Sequence, residues 1–212
     1  TEYTHPHYEK LRNIEKQIQS GARLTGQLLG YARKGKYEAR PININQIVTE
    51  SSETFQRTKR EITVHRQLSD DLLAVEVDQG QIEQVLINLY LNAWHAMPDG
   101  GTLTVIIKNE RANDITYVGI HISDTGEGIP EEKLSIVFEP FYTTKKIGHG
   151  TGLGLPISRK IIEEHGGFIQ AKNRSPKGLT VSMFFPYQSD EELTNIPCWE
   201  YMQCGRDVND EL

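Results

Sequence analysis

The chain has 212 residues, with 23 Lys+Arg against 29 Asp+Glu and a formal charge of −6, a length that suits one full domain with an appendage, or two small ones. Hydrophobic residues make up 37% and Gly contributes 18 positions, an ordinary globular composition that excludes disorder throughout. No apolar run approaches the roughly 20 residues of a spanning helix, and the net acidity argues against a nucleic-acid-binding domain, which needs a basic face. Both Cys, 198 and 204, lie near the C-terminus and cannot form a disulfide framework through the body of the chain. The first residue is Thr and no signal-peptide pattern follows it. The chain is therefore expected to be a piece of a longer protein, working in a reducing cytosol without membrane contact of its own.

The spacing predicts one helix over 8–34. Leu11, Ile14, Ile18, Gly21, Thr25, Leu28 and Ala32 recur at alternating steps of three and four, a coiled-coil seam that is weak at Gly21 and Thr25. Such a stripe suits an antiparallel helix pair, in a dimer or with a partner helix. Gly35, Lys36 and Pro41 mark a break after it. A helix is expected over 43–59, strands over 62–68 and 72–77, then a long helix to Met97 capped by Asp78. Strands follow at 102–108 and 117–123, a short helix at 131–137, and a Gly/Lys/Thr-rich loop at 138–151. A helix over 152–165 and strands at 168–172 and 179–185 complete the pattern. Adjacent short-looped strands at the C-terminal end favour antiparallel pairing, so the body from 41 to 187 reads as a mixed α/β layer arrangement. Residues 188–212 read as an acidic linker and a Cys-containing tail, expected to be disordered. Two Cys make no complete zinc site.

Three segments carry chemistry. The run V-L-I-N-L-Y-L-N-A-W-H-A-M at 85–97 is apolar nearly all round except for Asn88, Asn92 and His95, which fall on one stripe. A helix this apolar is buried, so the carboxamides need partners, either polar groups of the protein or a polar ligand. Carboxamide oxygens are hard ligands suited to Mg²⁺. Next, the strand before Asp124 runs into D-T-G-E-G-I-P at 124–130. A strand-end carboxylate followed by Gly126 and Gly128 suits a flat ligand. A carboxylate accepts a hydrogen bond from the amine of adenine and rejects the carbonyl of guanine. Third, G-H-G-T-G-L-G-L at 148–155 opens a helix, whose N-terminus offers unpaired N–H groups to an anion. It is neither a P-loop nor the dinucleotide fingerprint.

In this order the motifs resemble the N, G1, F and G2 boxes of the histidine-kinase/gyrase/chaperone/mismatch-repair ATPase superfamily, and within it the catalytic ATP-binding domain of sensor histidine kinases. The N box is N-L-Y-L-N-A at 88–93, the G1 box D-T-G-E-G at 124–128, the F box F-E-P-F-Y-T-T-K at 138–145, and the G2 box G-T-G-L-G-L at 150–155. The resemblance implies an α+β fold, a two-layer α/β sandwich of Bergerat type with a mixed, mainly antiparallel sheet under helices, preceded by the long N-terminal helix. It divides the chain into the second helix of a dimerisation hairpin (1–40), a catalytic ATP-binding domain (41–187), and a linker with tail (188–212). It implies that Asn92 binds Mg²⁺, that Asn88 lies beside the triphosphate with His95 on the same stripe, and that Asp124 holds adenine in a pocket shaped by Gly126, Gly128 and Ile129. Residues 138–152, Phe138, Thr143, Thr144 and Lys145 among them, would form a mobile lid, and Gly150, Thr151, Gly152, Leu153, Gly154 and Leu155 of the lid and the following helix would wrap the phosphates. The implied cofactors are ATP and Mg²⁺. The implied partners are a response-regulator receiver domain and a second copy of the parent protein.

The superfamily's hydrolases carry Glu where Asn88 stands. An amide is no general base, and Glu83, nine residues before Asn92, falls on the far side of the helix. The resemblance therefore implies a kinase that holds ATP for transfer to a His. The family's acceptor context, His-Glu/Asp-x-x-Asn/Pro, fits none of the seven His, so the acceptor is expected on a helix outside this chain. A nucleotide-sensing module and a serine kinase of the same superfamily are the alternatives, the second disfavoured by the N-terminal helix.

Overall fold

The structure, a computed structural model, describes residues 38–112, 115–143 and 151–187. The expected N-terminal helix and Cys-containing tail lie outside the described residues, as do Thr144, Lys145 and Gly150 of the expected site.

The first elements are β1 (Arg40–Ile42) and helix α1 (Ile44–Thr58). Asn43 caps α1, its side chain accepting the N–H of Gln46, which satisfies one of the four N–H groups that a helix start leaves open. Ile44, Ile47, Val48 and Ser52 form the buried stripe of α1. Strand β2 (Ile62–Leu68) follows, then β3 (Val75–Val77) and helix α2 (Gln79–Ala96). Asp78 caps α2 by accepting the Gln81 N–H at 3.0 Å, as the sequence predicts. Helix α3 (Gly154–Glu164) sits between the hairpin of β4 (Gly101–Ala112) and β5 (Ile115–Asp124) and that of β6 (Phe168–Asn173) and β7 (Leu179–Pro186).

The main sheet runs β2-β4-β5-β7-β6, and β1 and β3 form a separate antiparallel ribbon. Only β2 and β4 pair in parallel, and the remaining neighbours are antiparallel. The parallel pair follows from its connection, because β3 and α2 supply the long crossover that parallel strands require. Alternation on the strands sends Leu103, Val105 and Ile107 of β4, Val118, Ile120 and Ile122 of β5, and Val181, Met183 and Phe185 of β7 into one core. The three helices close it from that side with Ile47, Leu86, Tyr90 and Ile162 among others, giving two layers. No helix of the described residues is long and apolar enough to cross a membrane.

Three expectations change. Strand β1 was not expected. Pro41 marks a break by residue type, yet it sits exposed opposite Glu76 in a two-stranded ribbon, where a residue without an N–H is tolerated. The helix expected over 131–137 shrinks to one 3₁₀ turn, Glu131–Lys133, because Pro130 and Pro140 leave too short a run to propagate an α-helix. Helix α3 starts at Gly154 rather than 152, since Gly152 takes φ +65°, a left-handed conformation that no helix contains.

Candidate nucleotide-binding site

The C-terminal half of α2, the end of β5 with its loop, and the N-terminus of α3 enclose a cleft of about 360 Å³. It brings together Asn88, Asn92 and His95 from α2, Asp124, Gly128 and Ile129 from the β5 loop, Thr143, and Thr151, Gly152, Gly154 and Leu155 before and on α3. Segments 67 residues apart in sequence, from 88 to 155, thus meet at one place. Gly126, Phe138 and Leu153 do not line it. Leu153 packs into the core instead.

Gly126 is glycine because of the protein, not the ligand. A Cβ there would stand 2.6 Å from the carbonyl oxygen of Ala96, so the loop after Asp124 lies directly on the last turn of α2. That contact sets the distance between the Asp124 loop and the Asn88 stripe. Gly152 is needed at the other wall: with φ +65°, a Cβ would fall 2.4 Å from the Phe141 carbonyl carbon, and its own carbonyl accepts the Phe141 N–H at 2.9 Å. Gly154 is different. A Cβ there would approach Asn92 Nδ2 at 3.8 Å and Asn88 Cγ at 3.9 Å, so the first turn of α3 faces the carboxamide stripe across ordinary contact distance.

Asp124 is buried. Its Oδ1 accepts the N–H of Gly126 at 2.8 Å and of Leu179 at 3.3 Å. Both bonds use one oxygen, which leaves Oδ2 as the acceptor for a ligand. Burial pushes its carboxyl above the ordinary value, against the opposing pull of the two N–H groups and of Arg174. The loop beyond is pinned by Asn173, the last residue of β6. Its Oδ1 accepts the Ile129 N–H at 3.0 Å and its Nδ2 donates to the Ile129 carbonyl at 2.6 Å.

Asn88 Nδ2 is buried without a hydrogen-bond partner. An unpaired buried amide costs about 1–3 kcal/mol, which makes this donor a candidate for a ligand's acceptor. Helix α3 has no side-chain cap, and its open N–H groups favour an anion. His95 is exposed at the rim, with Nδ1 against the Leu91 carbonyl and its ring beside Trp94. Glu83 does not line the cleft. It accepts from Gln79 Nε2 at 2.9 Å, as its position on the helix predicts.

These residues fit a purine nucleotide. A buried acceptor stands at the end of β5, a buried unpaired donor on α2, and an uncapped helix start faces the α2 stripe. They also fit Mg²⁺ held mainly by phosphate oxygens. The carboxamides of Asn88 and Asn92, which line the cleft from α2, are hard oxygen donors of the kind Mg²⁺ takes. Tyr142 and Glu127 of the lining fall within the F and G1 boxes, whereas sequence reasoning missed Leu179 and Val181. The two β7 residues read as sheet core, and nothing in the pattern marks them otherwise.

Comparison with known proteins agrees with the geometry. The family described as histidine kinase-, DNA gyrase B- and HSP90-like ATPase matches residues 77–189. The sensor kinase CckA of Brucella abortus is 34% identical over 199 residues, covering 88% of this chain and 21% of that protein. The sensor histidine kinase ZraS of Salmonella typhi is 33% identical over 181 residues, covering 84% of this chain and 38% of that protein. The chain therefore spans about a fifth to two-fifths of these relatives. Among solved structures, the catalytic domain of the histidine kinase ThkA is 36% identical at a TM-score of 0.62, covering 70% of this chain and 95% of that one. ThkA in complex with the response regulator TrrA is 28% identical at 0.70, covering 89% of this chain and 53% of that one. With the family match spanning the cleft and the relatives all sensor kinases, the chain belongs to the histidine kinase-, DNA gyrase B- and HSP90-like ATPase family, as the catalytic ATP-binding domain of a histidine kinase.

Proposed function

We propose that this chain binds Mg-ATP in the α2–α3 cleft and donates the γ-phosphoryl to a histidine on a dimerisation helix, from which it passes to a response-regulator receiver domain. The observation that carries this reading is the pairing of a buried carboxylate, Asp124, with a buried unpartnered amide, Asn88 Nδ2, in one cleft. The first suits the adenine amine and the second a phosphate oxygen. Transfer breaks the bond between the β–γ bridging oxygen and the γ-phosphorus and forms a bond from that phosphorus to an imidazole nitrogen, leaving ADP. The protein's part in such a reaction is positioning and charge stabilisation. Asp124 orients the base, Asn88 and the α3 N-terminus hold phosphate oxygens, and Asn92 offers its carboxamide to Mg²⁺, which when bound neutralises phosphate charge. In this reading residues 138–152 form a lid that includes Thr144, Lys145, Gly150 and Thr151. Residues 1–40 supply the second helix of the hairpin and a homodimer contact, residues 41–187 the catalytic domain, and 188–212 a linker with tail. The protein acts on the cytoplasmic side, and the ThkA–TrrA complex supports a receiver domain as its partner.

The test is incubation with radiolabelled ATP, the chain alone and then with a longer form of the protein that carries the acceptor hairpin. Acid-labile label on the hairpin alone is expected. Nucleotide binding with no label on any hairpin would instead make the chain a nucleotide-sensing module.

A further inference from the structure

We propose that Arg174, on the turn between β6 and β7, is a positioning residue for the adenine end of the cleft, acting on the nucleotide only through Asp124. The inference rests on the nucleotide reading of the cleft and adds a residue that lies outside all four boxes and outside the cleft lining.

The turn 174–178 is built onto Asp124. The Arg174 N–H donates to the Gly178 carbonyl at 2.9 Å and closes the turn. At Gly178 φ is +113° and a Cβ would fall 2.1 Å from the Asp124 carbonyl oxygen, so glycine is what lets the turn come this close. Two donors then reach Asp124 on different atoms. The Leu179 N–H bonds Oδ1 at 3.3 Å, and Arg174 Nη1 donates to the backbone carbonyl at 3.4 Å. One residue earlier on β5, the hydroxyls of Ser123 and Thr180 bond at 2.8 Å, which fixes the start of β7 against the strand that carries Asp124.

Of these groups only the guanidinium is charged. It keeps its proton throughout the ordinary pH range, and a cation beside a carboxylate favours the ionised form. Burial works against ionisation of Asp124 and is the larger effect, while Arg174 pulls the other way together with the Gly126 and Leu179 N–H groups. The ionised carboxylate is the stronger acceptor for an adenine amine. The other charged or titratable side chains of this end are Glu127 on the loop after Asp124, His95 on the last turn of α2, Lys177 in the turn, and Glu131, which accepts from Asn173. What marks Arg174 is its bond to Asp124 itself.

The experiment compares wild type, Arg174→Ala and Arg174→Lys. Carboxyl NMR titration of the nucleotide-free chain follows Asp124 directly. Titration calorimetry with adenosine and with Mg-ADP, between about pH 4.5 and 8, follows binding, at low salt because the guanidinium is exposed and would be screened. In Arg174→Ala the Asp124 carboxyl should hold its proton to higher pH than in wild type. Both ligands should therefore weaken at the acid end of the range, by about three- to fivefold, the effect of one exposed charge on its neighbour. At the alkaline end, where both chains carry an ionised Asp124, affinities should agree within about 1.5-fold. The phosphate protons of ADP titrate alike with either chain and cancel from the ratio. Arg174→Lys keeps the charge and should return both readings most of the way to wild type. An Asp124 titration that is the same in wild type and Arg174→Ala would overturn the proposal. Equal loss at every pH without rescue by Lys would overturn it too, making Arg174 a structural residue of the turn. Loss for ADP with adenosine intact would place the guanidinium on the phosphates instead. Wild-type chain that binds neither ligand would remove the nucleotide reading and the role at adenine with it, a failure that the carboxyl signal tells apart from an indifferent Arg174.

Discussion

The imidazole Nε2 of His165 accepts the backbone N–H of Asp78 at 2.9 Å, across 87 residues of sequence. An N–H is only a donor, so Nε2 carries no proton, and Nδ1 donates to the Ile161 carbonyl at 2.7 Å. The neutral ring therefore ties the C-terminal end of α3 to the residue that caps α2. The two helices that form the cleft are joined at their far ends by one side chain. His165→Ala should strand the Asp78 N–H and cost about 1–3 kcal/mol, lowering the midpoint by about 2–4 °C per kcal/mol for a chain of this size. Urea unfolding checks it. A variant as stable as wild type would mean that water replaces the ring.

Asp124 sets fold stability against function. Burial raises its carboxyl pKa above the ordinary 3.8. The native carboxyl thus holds its proton to higher pH than the unfolded one does. Its contribution to stability is full below the unfolded value and is lost as pH rises through the native value. At neutral pH the ionised group burdens the ligand-free fold. Asp124→Asn keeps an Oδ1 for the Gly126 and Leu179 N–H groups, so its ligand-free midpoint at pH 7 should rise. Its ATP affinity should fall more than tenfold, on the order of 1.5–3 kcal/mol for a hydrogen bond with a charged partner. Scanning calorimetry between pH 4 and 7 gives the first arm and titration calorimetry the second. Unchanged affinity would sink the adenine assignment.

Much of this site was legible because its signals are local. The Asp78 cap, the apolar run of α2 and the polar stripe of Asn88, Asn92 and His95 are all set within one helix. What was not legible depends on contacts between distant segments. Gly126 reads as room for a ligand, yet the space belongs to the Ala96 carbonyl. Phe138 falls within a resemblance motif but stands outside the cleft. Tyr142 lies in the same motif and lines the cleft, next to Phe141 at positive φ, a backbone conformation that residue type does not announce. The partner strand of β2 was equally hidden. Its pattern gives a half-buried strand, and only the crossover through α2 makes β4 its parallel neighbour.

Asn173 should control the shape of the adenine end without touching the base. Its carboxamide makes a two-bond clamp on Ile129 and also donates to Glu131 Oε2 at 3.2 Å. Asn173→Ala should raise the exchange rate of the Ile129 amide hydrogen by tenfold or more, the equivalent of about 1.4 kcal/mol of local protection. Adenosine and ATP should weaken together if, as proposed, the loop that follows Asp124 holds the nucleoside. Hydrogen-exchange mass spectrometry reads the first effect. Loss for ATP with adenosine unaffected would place the clamp at the phosphates instead.

Metal dependence should rest on Asn92. Its carboxamide lines the cleft on the turn of α2 that faces Gly154, and no acidic cluster is available among the described residues. Asn92→Ala should cut the gain in ATP affinity that Mg²⁺ provides by about tenfold, while adenosine binding stays close to wild type. Titrations with and without Mg²⁺ measure that gain directly. Equal loss for adenosine would make Asn92 a structural residue of α2.

The fate of the γ-phosphoryl turns on Asn88. By the resemblance it stands where the superfamily's hydrolases carry Glu, and an amide cannot take a proton from water. The nearest acidic residue of α2, Glu83, is turned away and bonded to Gln79. Glu127 lies on the β5 loop at the cleft rather than on α2. Phosphoryl transfer also needs an acceptor held in line with the phosphate, and none of the chain's seven His has the acceptor context. The chain alone should therefore bind Mg-ATP and release phosphate at about 0.1 s⁻¹ or less, some hundredfold below a median enzyme turnover. Asn88→Ala should weaken ATP by about tenfold to a hundredfold through the lost donor and leave that slow release unchanged. A coupled phosphate-release assay reads the rate, and acid treatment with mass mapping locates any label. Brisk release that disappears in Asn88→Ala would make this side chain a participant in hydrolysis. Acid-labile label on His95 of the chain alone would show that the cleft phosphorylates its own rim.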